Sequence, residues 1–289
     1  MHQPITRKQF SRRAFLRAFA TVGLTMAGTA TYARTLEPRW LDVTSRTLAI
    51  PGLTPTLDGF RIAQLSDIHF SKYIGPEHLA WALRQVQSAE ADVLVLTGDY
   101  VGDDAQTAEN LVEPLAAFDR PVYAVYGNHD LWTHRPTIRR YLELSGAQVL
   151  TNTARELANG LWLAGIDDVW SGRPSLTAAL NGIPARASTI LLAHEPDFFD
   201  QVLAQNAPIV AQLSGHSHGG QIRLPTLEPD PAGDYSYAPI LPRLGRRYPI
   251  GLRTIDGRTI YTNRGLGVWP IPFRLNCRPE VTIFTLVAA

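Results

Sequence analysis

The 289-residue chain is poor in cysteine and in lysine. Cys277 stands alone, which excludes an intramolecular disulfide. Lys8 and Lys72 are the only lysines, although arginine is abundant. There is no basic run and no stripe of arginine interleaved with aromatics, so nothing argues for a nucleic-acid partner. Acidic residues are missing from the first 33 positions, where five Lys/Arg lie. The formal charge of +1 therefore hides an acidic body: once those five are set aside, 22 of the 27 basic residues remain against 26 acidic ones. No repeat, low-complexity tract or shift in composition divides the remainder, and residues 34–289 read as one domain. At 45% hydrophobic composition the chain has ample sequence for a buried core.

The N-terminal 33 residues read as an address. A basic stretch leads into a mildly apolar segment from about Ala18, and small residues follow at Thr31-Tyr32-Ala33. Arg12-Arg13, with Ser11 before and Phe15-Leu16 after, resembles the twin-arginine export signal, although lysine is usual where Arg17 stands. Such a signal implies a folded protein handed to the twin-arginine translocation machinery, bound for the periplasm or cell envelope. Retention of the segment as a membrane anchor is the alternative, against which its apolar part falls short of the roughly 20 residues a span needs.

Past this segment one unit recurs: a short apolar strand running directly into polar, glycine-flanked residues. Arg61–Leu65 leads into Ser66-Asp67-Ile68-His69, Val93–Leu96 into Thr97-Gly98-Asp99, and Val122–Tyr126 into Gly127-Asn128-His129-Asp130. Ile190–Ala193 leads into His194-Glu195-Pro196, and Ile209–Leu213 into Gly215-His216-Ser217-His218. Helices are predicted over Pro76–Ala89 and around Pro136–Leu144, the first with Leu79, Leu83 and Val86 on one face. Continuous apolar strands alternating with helices predict an α/β fold with buried sheet. Ligands in such folds gather beyond the carboxyl ends of the strands.

Five of the eight histidines (His69, His129, His194, His216, His218) fall just after a predicted strand. In extended backbone His216 and His218, at i and i+2, face the same way, and the flanking glycines keep that face uncrowded. Taken alone the stretch fits either a metal or phosphate site or a polar turn. A single histidine is ordinarily a hydrogen-bonded structural residue; five collected beside Asp67, Asp99 and Asn128 have no structural reason to be there. His78 and His134 lie outside the pattern and read as surface or supporting residues.

Asp67-x-His69, Gly98-Asp99, Gly127-Asn128-His129-Asp130, His194 and Gly215-His216-x-His218 resemble, in this order, the motifs of calcineurin-like metallophosphoesterases. The likeness runs over nearly the whole chain after about Ile50. The tail Asn263-Arg264-Gly265-Leu266-Gly267 and Arg278-Pro279-Glu280-Val281-Thr282 is similar to the exported or membrane-associated bacterial branch. That branch holds phosphodiesterases and relatives of UDP-2,3-diacylglucosamine pyrophosphatase. The resemblance implies a four-layer αββα sandwich and two divalent metal ions, drawn from Mn, Fe, Zn or Co. Asp67, His69 and His218 would hold one ion, Asn128, His194 and His216 the other, with Asp99 bridging. His216 and His218 would then serve different ions. It further implies hydrolysis of a phosphodiester or pyrophosphate by direct attack of metal-activated water, with His129 as the catalytic, non-ligating residue. Asp130 reads as a brace for its turn. Purple acid phosphatases carry a tyrosine three residues after the bridging aspartate; here Tyr100 follows Asp99 at once and Gly102 takes the third position, which argues against that class.

Other readings stay open at this point. A lipid-directed pyrophosphatase and a non-catalytic metal-binding envelope protein fit the same motifs, since fold does not fix function. Arg223 to Phe273 reads as long loops near the active face. Arg243, Arg246 and Arg247 read as a solvated cluster or a phosphate grip. Trp132, Trp170 and Trp269 read as core residues, with an apolar wall for an acyl chain or base as the other option. Asp167-Asp168 has no assignment.

Overall fold

The computed structural model describes residues 11–158, 160–229 and 233–289; the first ten residues of the expected signal segment lie outside them. In chain order the strands are β1 (Asp42–Ile50), β2 (Arg61–Leu65), β3 (Val93–Leu96), β4 (Val122–Ala124), β5 (Gln148–Val149), β6 (Thr153–Ala158) and β7 (Leu161–Gly165). They continue with β8 (Ser188–Leu192), β9 (Ala211–Ser214), β10 (Leu224–Pro225), β11 (Ser236–Tyr237), β12 (Gly251–Ile255), β13 (Arg258–Thr262) and β14 (Glu280–Ala288). The helices are α1 (Arg12–Thr35), α2 (Pro76–Ser88), α3 (Val112–Ala116), α4 (Asn128–Thr133), α5 (Arg135–Leu144), α6 (Leu176–Leu180) and α7 (Phe199–Ala204).

Among the described residues two six-stranded sheets form, ordered β1-β14-β2-β3-β4-β5 and β12-β13-β9-β8-β7-β6, beside the small β10–β11 pair. Strands β2 to β5 run parallel, as do β13, β9, β8 and β7. Side-chain alternation explains the layering. Ile62, Val93 and Val95 face the second sheet, against Leu163, Ile190, Leu192 and Leu213. Their neighbours Ala63, Leu65, Leu94 and Leu96 face outward, where Leu79, Leu83 and Val86 of α2 and Ile138 and Leu142 of α5 cover them. On the far side Ala164 and Leu191 meet Leu176 of α6 and Phe199 and Val202 of α7. Three apolar interlayers thus make the αββα sandwich.

One segment departs from expectation. Within Arg223 to Phe273, β12 and β13 form an antiparallel hairpin on the edge of the second sheet. Its two-residue turn is Asp256-Gly257, both at positive φ (50° and 74°), as a type I′ turn requires. The Asp-Gly signal was present, but β12 is only partly buried and shows no apolar alternation. The small-residue stretch Thr31-Tyr32-Ala33 lies inside α1, where Ala33 is buried. Its carbonyl accepts the Arg274 N–H at 2.8 Å, and just beyond it buried Glu37 accepts the Cys277 N–H at 2.6 Å. Apart from half-buried Tyr32 the rest of α1 is exposed, and among the described residues no helix is long and apolar enough to cross a membrane.

Candidate metal centre

Five strands deliver the motif residues to one place. Leu65, Leu96 and Ala124 end β2, β3 and β4 in register, so Asp67, Asp99 and Asn128 emerge side by side. Leu192 and Leu213 pair on the facing sheet and send out His194 and His216. Gln64 stitches the two edges together, its amide donating to the Ser214 carbonyl (2.9 Å) and Thr97 Oγ1 (3.0 Å). The backbone at this edge is contorted. Asp67, His69, Asp99, His216 and His218 all sit at positive φ, between 48° and 69°. Left-handed backbone costs a non-glycine residue about 1–2 kcal/mol, and such strain collects where function requires it. His216 and His218 are therefore not in extended backbone, contrary to the i, i+2 expectation, and their rings go to two different clusters of donor side chains.

Asp67, His69 and His218 form one group, and Asp99, His194 and His216 another, each with side-chain donor atoms within 4.8 Å of one another. Asp99 lies between them: its Oδ2 is 3.5 Å from His69 Nε2 and 3.2 Å from His194 Nε2. All seven expected ligand positions, Asn128 included, are buried.

The outer nitrogens decide what the inner ones can do. His69 Nδ1 donates to the Val101 carbonyl (3.1 Å), His194 Nδ1 to that of Thr97 (2.7 Å), and His216 Nε2 to that of Arg243 (2.7 Å). With the proton placed there, each ring in its neutral form turns a lone pair inward. His194 Nε2 and His216 Nδ1 then face each other at 3.2 Å, and His69 Nε2 faces His218 Nε2 at 3.0 Å. Acceptors pointed at one another across such distances are repulsive unless a cation or a proton sits among them. The Asn128 side-chain oxygen is buried with no hydrogen-bond partner and completes the acceptor set. The residues fit divalent cations, with imidazole nitrogen, carboxylate and amide oxygen in the mixture that Mn, Fe, Zn or Co accept.

Charge follows the same pattern. Burial drives the His69 and His216 rings down to about 3 and pushes His218 well below its ordinary value, so these three rings are neutral. Burial also raises Asp67, to about 7, with Asp99 adding to the rise. His194 is held up instead: burial opposes its charge, but Asp99 against its ring outweighs that. The anionic density at Asp99 attracts either a proton or a cation to this point.

His129 stands at the mouth. Its backbone N–H donates to Asp99 Oδ1 (2.8 Å) and its Nδ1 to the Gly102 carbonyl (2.6 Å), which leaves Nε2 facing the cleft. Asp130 braces the turn as expected, accepting the backbone N–H groups of Asp99, Gly127 and Tyr100 at 2.8–3.0 Å. His78 and His134 are remote, bonded locally at the starts of α2 and α5.

The chain matches the calcineurin-like phosphoesterase family over residues 60–220, more than half its length. It belongs to the calcineurin-like phosphoesterases. Among its relatives, YkuE of Bacillus subtilis, an uncharacterized metallophosphoesterase, is 34% identical, covering 96% of this chain and 98% of its own. The phosphodiesterase YaeI of Escherichia coli is 33% identical over 96% and 99% of the two chains. The UDP-2,3-diacylglucosamine pyrophosphatase LpxG of Chlamydia trachomatis is 27% identical, over 92% and 98%. This calcineurin-like phosphoesterase is thus a hydrolase with clustered His/Asp groups suited to divalent metals.

The remaining candidates resolve as follows. Trp132, Trp170 and Trp269 are not core residues: all three line the cleft over the metal groups. Trp269 stacks on His69 at 5.8 Å and meets the His129 ring at 4.8 Å. Trp132 lies 4.9 Å from His129, and Trp170 5.7 Å from His216. The Arg243, Arg246 and Arg247 side chains are exposed and do not line that cleft. Asp197 accepts the backbone N–H groups of Arg246 and Arg247, and Arg247 pairs with Asp200. Asp167 and Asp168 fold the Val169–Arg173 turn by accepting the N–H groups of Ser171 and Arg173. Sequence reasoning missed Gln221, whose amide clamps both the N–H and the carbonyl of Trp269. It also missed Glu195, which accepts the Val169 and Trp170 N–H groups at 3.0 Å. The only local signal for either is its place after a motif histidine, Glu195 directly after His194 and Gln221 three residues after His218.

Proposed function

We propose that the chain is a two-metal phosphodiesterase in which Asp67, His69 and His218 hold one ion, Asn128, His194 and His216 the other, and Asp99 both. The observation that carries this reading is the convergence of inner imidazole nitrogens on Asp67 and Asp99, beside the unpartnered Asn128 oxygen. When bound, such a pair of dications makes water nucleophilic at neutral pH and offsets the charge of an in-line phosphoryl transfer. The chain's own residues supply the rest. The carbonyls of Val101, Thr97 and Arg243 fix three imidazole tautomers, so ligand orientation is set before substrate arrives. His129, tethered at Nδ1, presents Nε2 to the leaving oxygen and acts as the imidazolium, giving up its Nε2 proton and keeping the one on Nδ1. Trp269 and Trp132 pack on the His129 ring and limit its rotation. Nothing in this scheme needs a covalent enzyme intermediate.

The phosphodiester reading is supported by the name of YaeI, and a pyrophosphate bond by that of LpxG. Residues 1–33 serve in this proposal as a twin-arginine export segment ahead of a 34–289 catalytic domain, which would place the enzyme in the periplasm or cell envelope. Exposure of Arg12 and Arg13 at the start of α1 supports recognition by the export machinery.

His129→Ala is expected to lower kcat for bis(p-nitrophenyl) phosphate by roughly 10²–10⁴-fold while metal content is unchanged. Asp99→Asn is expected to lose both metal and activity with the fold preserved. Wild-type turnover in a correctly folded His129→Ala protein would remove His129 from the reaction. A wild-type protein that binds metal and cleaves no ester would leave the metal-binding scaffold reading.

A further inference from the structure

The cleft over the metal groups is about 390 Å³, and its walls differ sharply in character. The floor is polar: His69, Asp99, Asn128, His129, His216 and His218. The sides are the three tryptophans, Trp132 touching Trp170 edge-on at 5.2 Å and Trp269 clamped by Gln221. The lip consists of two apolar segments, Pro239-Ile240-Leu241-Pro242 and Pro270-Ile271. Among the described residues no lysine or arginine lines this space. The two lip isoleucines are left in water, Ile240 at 77% exposure and Ile271 at 44%. The lip is nonetheless anchored, because the Arg243 carbonyl next to Pro242 holds the His216 ring. A polar floor that takes one phosphate, surrounded by indoles and exposed aliphatic side chains, is complementary to an amphiphile. A nucleoside diphosphate head, with its extra charge and polar base, would meet neither a cation nor a ring of hydrogen-bond donors on these walls.

We propose that the substrate is a phosphoester carrying an aliphatic chain, seated with its phosphate on the metal groups and its chain between Trp269, Ile240 and Ile271. This rests on the phosphodiesterase reading above and adds the substrate class. Ile240 and Ile271 are specificity-determining residues in it, and Gln221 is a positioning residue acting through Trp269.

The test uses the full chain loaded with Mn²⁺ and a series of p-nitrophenyl phosphodiesters whose second substituent is methyl, butyl or octyl, kept below micelle formation. Each methylene moved from water into the cleft is worth up to about fourfold. The KM is therefore expected to fall at least tenfold from methyl to octyl, with kcat changing little. Ile240→Asp combined with Ile271→Asp is expected to flatten the series, with an unchanged unfolding midpoint showing that the fold is intact. Gln221→Ala, which frees Trp269, is expected to weaken the chain-length response. Presenting the octyl ester free or in phosphatidylcholine vesicles identifies the source: preference for the vesicle form assigns a membrane lipid and preference for the free form a soluble amphiphile, and either upholds the cleft. A KM independent of chain length in the wild type would overturn the proposal, as would a response that survives the double variant. Failure to cleave any ester, methyl included, would instead overturn the phosphodiesterase reading itself.

Discussion

Asp130→Asn isolates the brace under the metal centre from the centre itself. Asp130 is fully buried and spends both oxygens on backbone N–H groups: Oδ2 on Asp99 (3.0 Å) and Gly127 (2.8 Å), Oδ1 on Tyr100 (2.9 Å). Asparagine keeps one acceptor oxygen. In its better orientation that oxygen retains Asp99 and Gly127, and the new amide group points at the Tyr100 N–H. Two buried donors are then left facing each other, at about 1–3 kcal/mol each. A loss near 3 kcal/mol is about 6–12 °C in Tm for a domain of this size. The site should suffer as well, because Asp99 holds φ at 55° only while its N–H is anchored, and its Oδ2 reaches toward both His69 and His194. Thermal unfolding in EDTA reads the stability change without the metals, and metal retained after dialysis reads the site. An Asp130→Asn protein within about 1 °C of wild type, with wild-type metal content and turnover, would refute the reasoning.

Arg274→Lys tests the loop behind Asp67. Arg274 is fully buried and donates to the carbonyls of Arg264, Gly265, Gly267 and Cys277; a lysine cannot reach all four, so a loss of about 2–3 kcal/mol is expected in the free energy of urea unfolding. That loop hydrogen-bonds Ser66 and Asp67 through Leu266 and Gly267, so metal affinity, read by chelator competition, should fall with it. Glu280→Gln tests a pH dependence. Burial alone would raise the Glu280 carboxyl, but Arg264 and the Tyr261 hydroxyl outweigh it and hold it below the usual glutamate value. Its stabilisation is therefore complete above the unfolded pKa and is lost as pH falls through the lower folded value. The gap between wild type and variant should be about 3 kcal/mol at neutral pH and close below about pH 4. A gap that does not change with pH in chemical denaturation would show that Glu280 carries no linked charge.

Much of this could be read along the chain because the family places each motif residue within a few positions of a buried strand. Arg61–Leu65, apolar but for Arg61 and Gln64, and Val93–Leu96, apolar throughout, form strands over those residues. The helix at Pro76 ends one residue from its expected end. What could not be read was whatever depends on distant backbone. The carbonyls that orient His69, His194 and His216 belong to Val101, Thr97 and Arg243, 32, 97 and 27 residues away, and a carbonyl leaves no mark on residue identity. Left-handed φ at His216 and His218 was likewise hidden, since Asp and His tolerate it without a glycine to announce it. The tryptophans were misplaced for a related reason. Their composition favours a core, and only the fold shows that Trp132 follows His129 into the cleft and that Gln221 carries Trp269 over it. The β12–β13 hairpin escaped because an edge strand with partly buried faces has no sharp alternation.

The most direct test of the central claim is metal content together with ester hydrolysis, on protein purified without chelator. Two divalent ions per chain, and bis(p-nitrophenyl) phosphate cleavage that EDTA abolishes and Mn²⁺ restores, are the expected result. A chain that binds no metal, even after reconstitution with Mn²⁺, Fe²⁺, Zn²⁺ or Co²⁺, would contradict it.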